Sequence, residues 1–518
     1  MKYLHATMTV LSLMAGASGA LAQDITLTSH DGKVEITGNL LGFDGEFYRV
    51  DTQFGELTVD GSGVTCDGPA CPNLIDFVAE VNFSGASVMA ESLLPALIEG
   101  FAQRENLNVL SEGTDPAQLV FALTQPDRTA PLARFFLRVS DTDRGFADLT
   151  ADQADIALAM REIRPQEAAA AQENGLGDLS RPRRSRVVAL GALVPVVSLD
   201  NPIQQISVSD LARVINGEVA NWAQLGGPDA PIAVHLPDVT TGVGQAVQDQ
   251  VMQPAGVQAH EDVIRHTRSA ELAAAVARDP FALGIVSHAD PQNVRSLPLA
   301  GGCGHALRAT RAAIKTEDYP LTLPMFLYLP QRRLPKIARQ FLAYVQSPEA
   351  QMVIRQAGFV DQSHELVRLG LQGDRLANAI TSGGSEVGLE ELQRMIETLR
   401  PLSRLSVSFR FEPGSSRPDA QSRSNILQMA QALESGQYDG RKLVFVGFSD
   451  GDGAAETNAR IALRRAQTVR NAILAAIETA VPETVEIAVE GFGEAMPMAC
   501  DDTEWGRKAN RRVEVWVR

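Results

Sequence analysis

From about residue 76 to 370, short apolar segments alternate with amphipathic ones, and this alternation limits the fold of the chain more than any other feature. The segment Val187–Val197 is apolar and rich in β-branched residues, which is typical of a central strand buried on both faces. Earlier, Val78–Val81 and a small-residue turn precede a helical pattern that includes Leu93, Leu94 and Leu97. This alternation predicts an α/β domain with a largely parallel sheet, or two such lobes.

Segment 24–72 has the pattern of a small β domain, with hairpin signals at Asp31-Gly32 and Asp44-Gly45. Cys66 and Cys71 close it around a Gly-Pro loop. A local disulfide is the leading interpretation, because no companion ligands for a metal stand nearby. The remaining Cys303 and Cys500 lie in different predicted domains. They either form a bond between domains or stay as two buried thiols.

The end of the chain has a different pattern. We expect a linker and a helix over 366–401, with helical spacing from Leu389 to Leu399, and a separate domain over 402–518. Its helices are predicted at Asp419–Leu433 and Asn458–Ile477. Alternation predicts half-buried strands around Leu405–Phe411, Val485–Val489 and Val513–Val517. The predicted order β-α-β-α-β-β is an α+β sandwich, so the whole chain is expected to be an α/β and α+β multidomain protein.

The N-terminus has the pattern of a cleaved signal peptide, residues 1–22. Lys2 precedes an apolar run from Met8 to Ala17, and Ala20-Leu21-Ala22 has small residues at the cleavage positions. That run is too short to span a membrane. No run of about 18 uncharged apolar residues occurs later in the sequence, so no membrane span is predicted. The net charge of −17 argues against binding to nucleic acid or anionic lipid.

Three sequence blocks of the C-terminal segment occur together in a specific order. They are Phe411–Ser415, Val446–Asp450 followed by Asn458 and Arg465, and Glu490–Glu494 followed by Asn510–Val515. In this order the segment resembles the OmpA-like peptidoglycan-binding domain over nearly all of 402–518. The resemblance implies that Asp450 and Arg465 hold the diaminopimelate group of a stem peptide, since one accepts from an ammonium and the other offers a planar fork to a carboxylate.

Asn458 lies seven residues before Arg465 and shares its helix face, so we include it in the predicted peptidoglycan site. Phe448-Ser449 departs from the His-Thr that the family often has before this Asp, which implies the loss of a polar contact. Arg511 and Arg512 are open to a different role, as partners in structural ion pairs.

The region 76–365 has a second set of short matches to a known family. They are Phe83–Ser87, Ala154–Ala157 with Arg161, Asn201–Ile203, Ile215–Gly217 with Asn221-Trp222, Thr240–Gly242, Phe281–Val286, Tyr319–Leu321 and Ser347–Gln351. Together they resemble the phosphate-type periplasmic substrate-binding proteins. The resemblance implies two α/β lobes with a ligand cleft between them, and a small anionic solute, phosphate or another oxyanion, as the ligand.

The predicted cleft residues come from two loops and two cations. They are Ser84, Ala86, Ser87, Thr240, Thr241, Gly242, Arg144 and Arg161. Hydroxyls and backbone amides near helix starts bind oxyanions, although N-capping would select the same residue types. Where the family commonly has Ser-Gly-Thr after an upstream Arg, this chain has Thr241-Gly242-Val243 and Pro237. A degraded anion pocket is therefore the alternative.

No catalytic motif stands out, and the eight His residues are scattered. We expect a protein that is not an enzyme and holds neither a cofactor nor a metal. The first hypothesis is a periplasmic solute-binding protein tethered to the cell wall near the outer membrane. The second is a structural or sensory envelope protein whose degenerate cleft meets a protein partner, with an envelope transporter or sensor as the expected associate.

Overall fold

The computed structural model describes residues 24–74, 77–289, 293–300, 306–382, 387–412, 414–479, 485–501 and 503–518. The predicted signal peptide and Cys303 lie outside these residues. The described chain forms two compact units, one ending at Ala79 and one running from Glu80 to Arg518. No helix in the described ranges is both long and apolar enough to cross a membrane.

The first unit is an antiparallel sheet with the order β4-β3-β2-β1-β5. Its strands are β1 (Ile25–Ser29), β2 (Glu35–Phe43), β3 (Phe47–Thr52), β4 (Gly55–Asp60) and β5 (Val64–Asp67). Ile25, Leu27, Tyr48 and Val50 form its buried core. A disulfide joins Cys66 to Cys71, which is the local pairing that their spacing predicts. Cys500 is also disulfide-bonded. Because Cys303 lies outside the described residues, the pairing of 303 with 500 stays a prediction.

The second unit begins with a large sheet that builds two lobes. Its strands are β6 (Ala79–Ala86), β7 (Asn108–Glu112), β8 (Gln118–Thr124), β9 (Ala133–Ser140), β10 (Ile156–Ala159), β11 (Ser185–Val197), β12 (Ala233–Pro237), β13 (Ile264–His266), β14 (Ala282–Ser287), β15 (Arg295–Ser296) and β16 (Thr322–Tyr328). The order is β13-β12-β14-β11-β16-β10-β6-β9-β8-β7, and β15 pairs with β11. The first lobe surrounds β6–β10 and the second surrounds β12–β15.

Helices cover this sheet, and we call the whole the two-lobed domain. They are α1 (Leu94–Arg104), α2 (Thr142–Thr150), α3 (Pro165–Glu173), α4 (Val208–Ile215), α5 (Gly242–Val247), α6 (Gln253–Ala255), α7 (Ser269–Arg278), α8 (Arg311–Lys315), α9 (Lys336–Val345) and α10 (Pro348–Gln356). Wider π-helical turns at Met89–Leu93 and Gln248–Met252 lead into α1 and α6.

The expectation of a largely parallel sheet is wrong. β6 pairs with β10, and β12 with β13 and β14, in parallel, but β11 runs antiparallel to β14, β15 and β16. The strands β7, β8 and β9 follow one another through short connections, which force antiparallel pairing. The central strand is placed as predicted: β11 lies between β14 and β16 in the sheet and is buried throughout except at Arg186.

The C-terminal domain is a second sheet with the order β17-β18-β21-β19-β20. Its strands are β17 (Leu366–Arg368), β18 (Ser403–Arg410), β19 (Lys442–Phe448), β20 (Glu486–Gly491) and β21 (Arg512–Val517). Its helices are α11 (Gly373–Ser382), α12 (Leu389–Leu399), α13 (Ala420–Glu434), α14 (Ala455–Ala476) and α15 (Glu504–Asn510). Asp419 caps α13 by accepting from the backbone N–H of Ser422.

Two details of this domain differ from the sequence prediction. The short helix α15 was not expected; its start is capped by Thr503, whose hydroxyl accepts from Gly506 N–H. The strands β18 and β21 are buried on both faces rather than half-buried. For β21 the reason is that the stretch expected as a linker supplies α11 and α12, whose residues pack on the far face of the sheet against Trp516. For β18 the reason is that Arg404 and Arg410 on this face contact Asp318 of the two-lobed domain.

Polar side chains of β18 reach a buried carboxylate of the two-lobed domain. Arg404 forms a bidentate pair with Asp318, at 2.5 Å and 3.0 Å, and Nη2 of Arg410 lies 3.4 Å from the same carboxylate. Arg410 also donates to the backbone carbonyl of Glu317. All three charged side chains are almost fully buried. Burial acts to raise the pKa of Asp318, but Arg404 and its neighbouring arginines hold it below its ordinary value.

A second buried carboxylate extends this cluster inside the C-terminal domain. Glu514 on β21 pairs with Arg512 at 2.8 Å, with Arg404 at 3.3 Å and with Arg375 on α11. Arg404 therefore lies between the carboxylates of Asp318 and Glu514. We call Asp318, Glu514 and the four arginines that surround them the interface charge cluster.

Replacing Asp318 tests the strength of this cluster. In Asp318→Asn, Arg404 and Arg410 stay buried with less opposing charge, so we expect the free energy of unfolding to fall by about 3–5 kcal/mol. Urea denaturation at pH 7 measures it. Asp200→Asn, at an exposed position of the same domain, should change the value by less than about 0.5 kcal/mol. Equal effects of the two substitutions would contradict this role.

Glu317, next to Asp318, has the opposite titration behaviour. Burial, with the nearby charge of Asp419, raises the pKa of Glu317 to about 8, while Arg410 and Lys508 oppose the shift. Its backbone is left-handed, with φ of 55°, and Nδ2 of Asn425 lies 3.4 Å from Oε1. The folded chain therefore favours the neutral acid. The stabilising contribution of Glu317 is complete below the unfolded pKa of about 4.5 and is lost as the pH rises from there through 8.

We expect Glu317→Gln to remove this dependence. The variant should gain stability relative to the natural chain as the pH rises from 5 to 9, because an amide stays neutral throughout. Denaturation curves at pH 5, 7 and 9 measure the difference. Glu99→Gln, on an exposed part of α1, serves as control and should give a difference that does not change with pH. A Glu317→Gln difference that shrinks as the pH rises would refute the assignment.

Candidate functional site

The first loop of the predicted cleft lies at the end of β6. Gly85 has φ of 138°, and a Cβ there would lie 2.1 Å from the carbonyl oxygen of Leu158, so only glycine fits against β10. Ser84 points into the protein, where its hydroxyl donates to Asp148 at 2.6 Å. Ala86 is buried, and Ser87, which follows it, is partly exposed.

Asp148 also forms ion pairs with two arginines. Its side chain is 2% exposed, and it accepts from Nη1 of Arg138 at 3.0 Å and pairs with Nε of Arg144 at 2.7 Å. The predicted ligand groups of Ser84 and Arg144 are therefore bonded to an internal carboxylate.

The second loop precedes α5. The Thr241 hydroxyl accepts from Gly244 N–H at 3.0 Å and donates to the carbonyl of Asp238 at 2.7 Å. The Thr240 hydroxyl donates to the Asp238 carboxylate at 2.6 Å. These are the local bonds of a helix cap and a turn, which is the alternative role that the sequence leaves open for these threonines.

The two loops contact each other directly. Gly242 N–H donates to the Ser87 hydroxyl at 3.3 Å. A Cβ on Gly242 would lie 2.9 Å from that of Ala86. Beside this contact, the side-chain oxygen of Gln245 in the second lobe accepts from the backbone N–H of Thr142, in the first turn of α2, at 2.9 Å. Four of the predicted cleft residues, Ala86, Ser87, Thr241 and Gly242, thus come together.

Arg161 lies beside these loops within a group of carboxylates. It pairs with Asp143 and with Glu167 in its own lobe, and its Nε lies 3.4 Å from Asp249 in the second lobe. Arg164 adds a pair to Asp249 at 2.9 Å. Burial raises the pKa of Asp249, while the two arginines oppose that shift. We call the pairs of Arg161 and Arg164 with Asp249 the inter-lobe ion pairs.

The predicted peptidoglycan site lies between the end of β19 and the helix α14. Asp450 follows the strand, and its carboxylate accepts from Arg511 at 2.8 Å. Arg465 is 7% exposed, and its Nε and Nη1 have no hydrogen-bond acceptor among the described residues. Its guanidinium carbon lies 5.3 Å from the centre of the Phe411 ring. Burial lowers the pKa of Arg465, and the charge of Asp450 opposes that shift.

Asn458 shares the buried face of α14 with Arg465, as its spacing predicts. Its amide donates to the Glu494 carboxylate at 2.7 Å. Arg511, for which the sequence suggests a structural pair, joins Asp450 to Glu504 on α15. Glu504 and Glu494 were not singled out as site residues, although Glu494 lies in one of the matching blocks. In the described part of the chain, no three His, Cys, Asp or Glu side chains form a group that could hold a metal.

Known protein families match both the two-lobed domain and the C-terminal domain. The model of the PBP superfamily domain matches residues 79–349, slightly more than half of the chain, and that of the OmpA family matches 410–511. The chain belongs to the PBP superfamily. It carries an OmpA-family domain after it, so the two resemblances and the fold class drawn from the sequence are confirmed.

Individual relatives are distant. The protein SphX of Synechococcus elongatus is 26% identical over 43% of this chain and 67% of its own length. The phosphate-binding protein PstS of Borreliella burgdorferi is 22% identical over 35% of this chain and 67% of its own. The crystal structure of an ABC-type phosphate transport receptor from Vibrio cholerae covers 54% of this chain and 99% of its own, with 18% identity and a TM-score of 0.42. Membership of this family agrees with the expectation that the chain is not an enzyme.

Proposed function

We propose that this chain is an envelope protein held to peptidoglycan by its OmpA-family domain. The predicted signal peptide would deliver it to the periplasm, where the wall lies within reach of a secreted chain. The single observation that supports wall binding best is the Arg465 guanidinium. It is almost fully buried, and two of its nitrogens have no acceptor within the described residues.

The chemistry of a diaminopimelate side chain suits this geometry. Its carboxylate would satisfy the fork of Arg465, and the charge-assisted bonds would offset the cost of burying an arginine without an acceptor. Its ammonium would bind Asp450, which Arg511 already orients from one side. Phe411 would hold the guanidinium plane in position by a cation–π contact.

Two substitutions test this site in a pull-down with purified sacculi. Asp450→Ala and Arg465→Ala should each reduce retention about tenfold or more, since a charge-assisted bond contributes about 1.5–3 kcal/mol. The matched control is Arg464→Ala, which removes the same charge from an exposed position one residue away and should leave retention unchanged. Equal retention by all three variants would remove these residues from the site.

The cleft supports a second proposal, on the role of the two-lobed domain. We infer that this domain acts as a structural or sensory module, facing a protein partner such as an envelope transporter or sensor. The specific observation is that Ser84, Arg144 and Arg161 are all bonded to carboxylates of the chain itself. Carboxylates beside an anion pocket oppose the binding of phosphate.

The competing hypothesis, a small anionic solute, is supported by the relative named as a phosphate-binding protein. Isothermal titration of the full chain with phosphate and with sulfate separates the two. We expect no saturable heat with either anion. A saturable signal that Ser87→Ala abolishes would contradict the second proposal and support capture of a solute in the cleft.

A further inference from the structure

A cavity of about 470 Å³ lies where the two-lobed domain meets the C-terminal domain. One wall contains Arg186 at the start of β11, with Gln346 and Gln362. The facing wall contains Gln428 and Gln431 of α13. None of the predicted cleft or peptidoglycan residues lines this space, so it is distinct from both candidate sites.

The charge of this cavity is unusual for so acidic a chain. The chain has 63 Asp and Glu residues, yet none is among the described residues that line the cavity, and Arg186 is the one lining residue with a permanent charge. His364, also in the lining, does not add to it. Burial, with the charge of Lys315, lowers the pKa of His364 to about 4, and its Nδ1 lies 2.6 Å from the Tyr438 hydroxyl.

Arg186 has no ion pair or side-chain hydrogen bond to any residue in the described ranges. Its neighbours differ, because Arg183 pairs with Glu478 and Arg184 donates to the carbonyl of Pro330. Burial and these two neighbouring charges lower the pKa of Arg186. A partly buried guanidinium beside two like charges is unfavourable unless an anion joins it.

Glutamine amides make up most of the polar wall. Gln428 donates to Gln362 across the domain junction at 3.2 Å, while the amides of Gln346, Gln431 and Gln437 have no partner among the described residues. An amide both donates and accepts, which suits hydroxyl groups. Apart from Ser363, Ser435 and His364, the rest of the lining is apolar and includes Val188, Leu342 and Val345.

We propose that this cavity binds an anionic sugar, a small hydroxylated molecule with one oxyanion group. Its carboxylate or phosphate ester binds the fork of Arg186, its hydroxyls bind the glutamine amides, and its carbon skeleton contacts the apolar wall. The volume lies within the usual range for small-molecule sites, about 300–1,000 Å³. Because both domains contribute to the lining, the bound molecule stabilises their contact.

Isothermal titration of the full chain tests this with four probes: D-glucuronate, glucose 6-phosphate, D-glucose and inorganic phosphate. We expect saturable binding of D-glucuronate, glucose 6-phosphate or both, and none of neutral D-glucose. The first two probes separate a carboxylate from a phosphate ester as the preferred oxyanion.

Substitutions of Arg186 test whether the probes bind in this cavity. Arg186→Gln should weaken it about tenfold or more, while Arg186→Lys, which keeps the charge, should retain part of the affinity. Arg183→Gln, at the exposed neighbour that pairs with Glu478, is the matched control and should bind like the natural chain. Sacculi should retain Arg186→Gln like the natural chain, so a loss of sugar binding can be distinguished from a loss of wall binding.

Three results would overturn the assignment. They are the absence of binding by both charged sugars, unchanged affinity in Arg186→Gln and Arg186→Lys alike, and binding of inorganic phosphate alone. Circular dichroism of each variant shows whether it is folded, and Arg186→Lys provides the decisive comparison if Arg186→Gln does not fold.

Discussion

The bidentate pair between Arg404 and Asp318 is the interaction on which the larger unit depends. It joins β18 of the OmpA-family domain to the segment before β16 of the two-lobed domain, with both partners almost fully buried. Removing either charge would leave the other buried without its partner, which costs more than an exposed pair contributes. The same arginine contacts Glu514, so the junction and the core of the C-terminal sheet share one electrostatic cluster.

The junction also reaches the first lobe. Arg423 on α13 pairs with Glu162 at 2.5 Å, and the Ser424 hydroxyl accepts from the backbone N–H of Val187 on β11 at 3.3 Å. The C-terminal domain therefore contacts the first lobe and the central strand β11, and the inter-lobe ion pairs of Asp249 join the two lobes to each other. A cleft that opens and closes around a solute would have to break these inter-lobe pairs. This constraint favours a fixed, partner-facing role for the two-lobed domain.

Local patterns in the sequence predicted much of the fold. The apolar run of β11, the helix after Asp419 and the pairing of Cys66 with Cys71 each depend on neighbouring residues, and each is found where the pattern places it. The full burial of β18 could not be predicted in this way. Arg404 and Arg410 alternate with apolar residues as solvent-facing side chains do, and their partner Asp318 lies 86 and 92 positions earlier.

In the candidate sites too, local relations were predicted from the sequence and long-range contacts were not. The helical spacing of Asn458 and Arg465 placed both on the buried face of α14, because that relation is local. The pairing of Ser84 and Arg144 with Asp148 was not predicted, since it requires the packing of β6 against α2. Hydroxyl and arginine patterns indicate where an anion could bind, but they do not reveal that an internal carboxylate already occupies those donors.

The central claim is that the PBP-superfamily and OmpA-family domains form one cooperative unit. Hydrogen exchange of the full chain, followed by mass spectrometry, tests it on the buried strands β11 and β21. The account predicts that amides of both strands exchange through the same opening, with free energies that agree within about 1 kcal/mol. If β21 opens at a free energy several kcal/mol lower while β11 stays protected, the two domains unfold independently and the account is wrong.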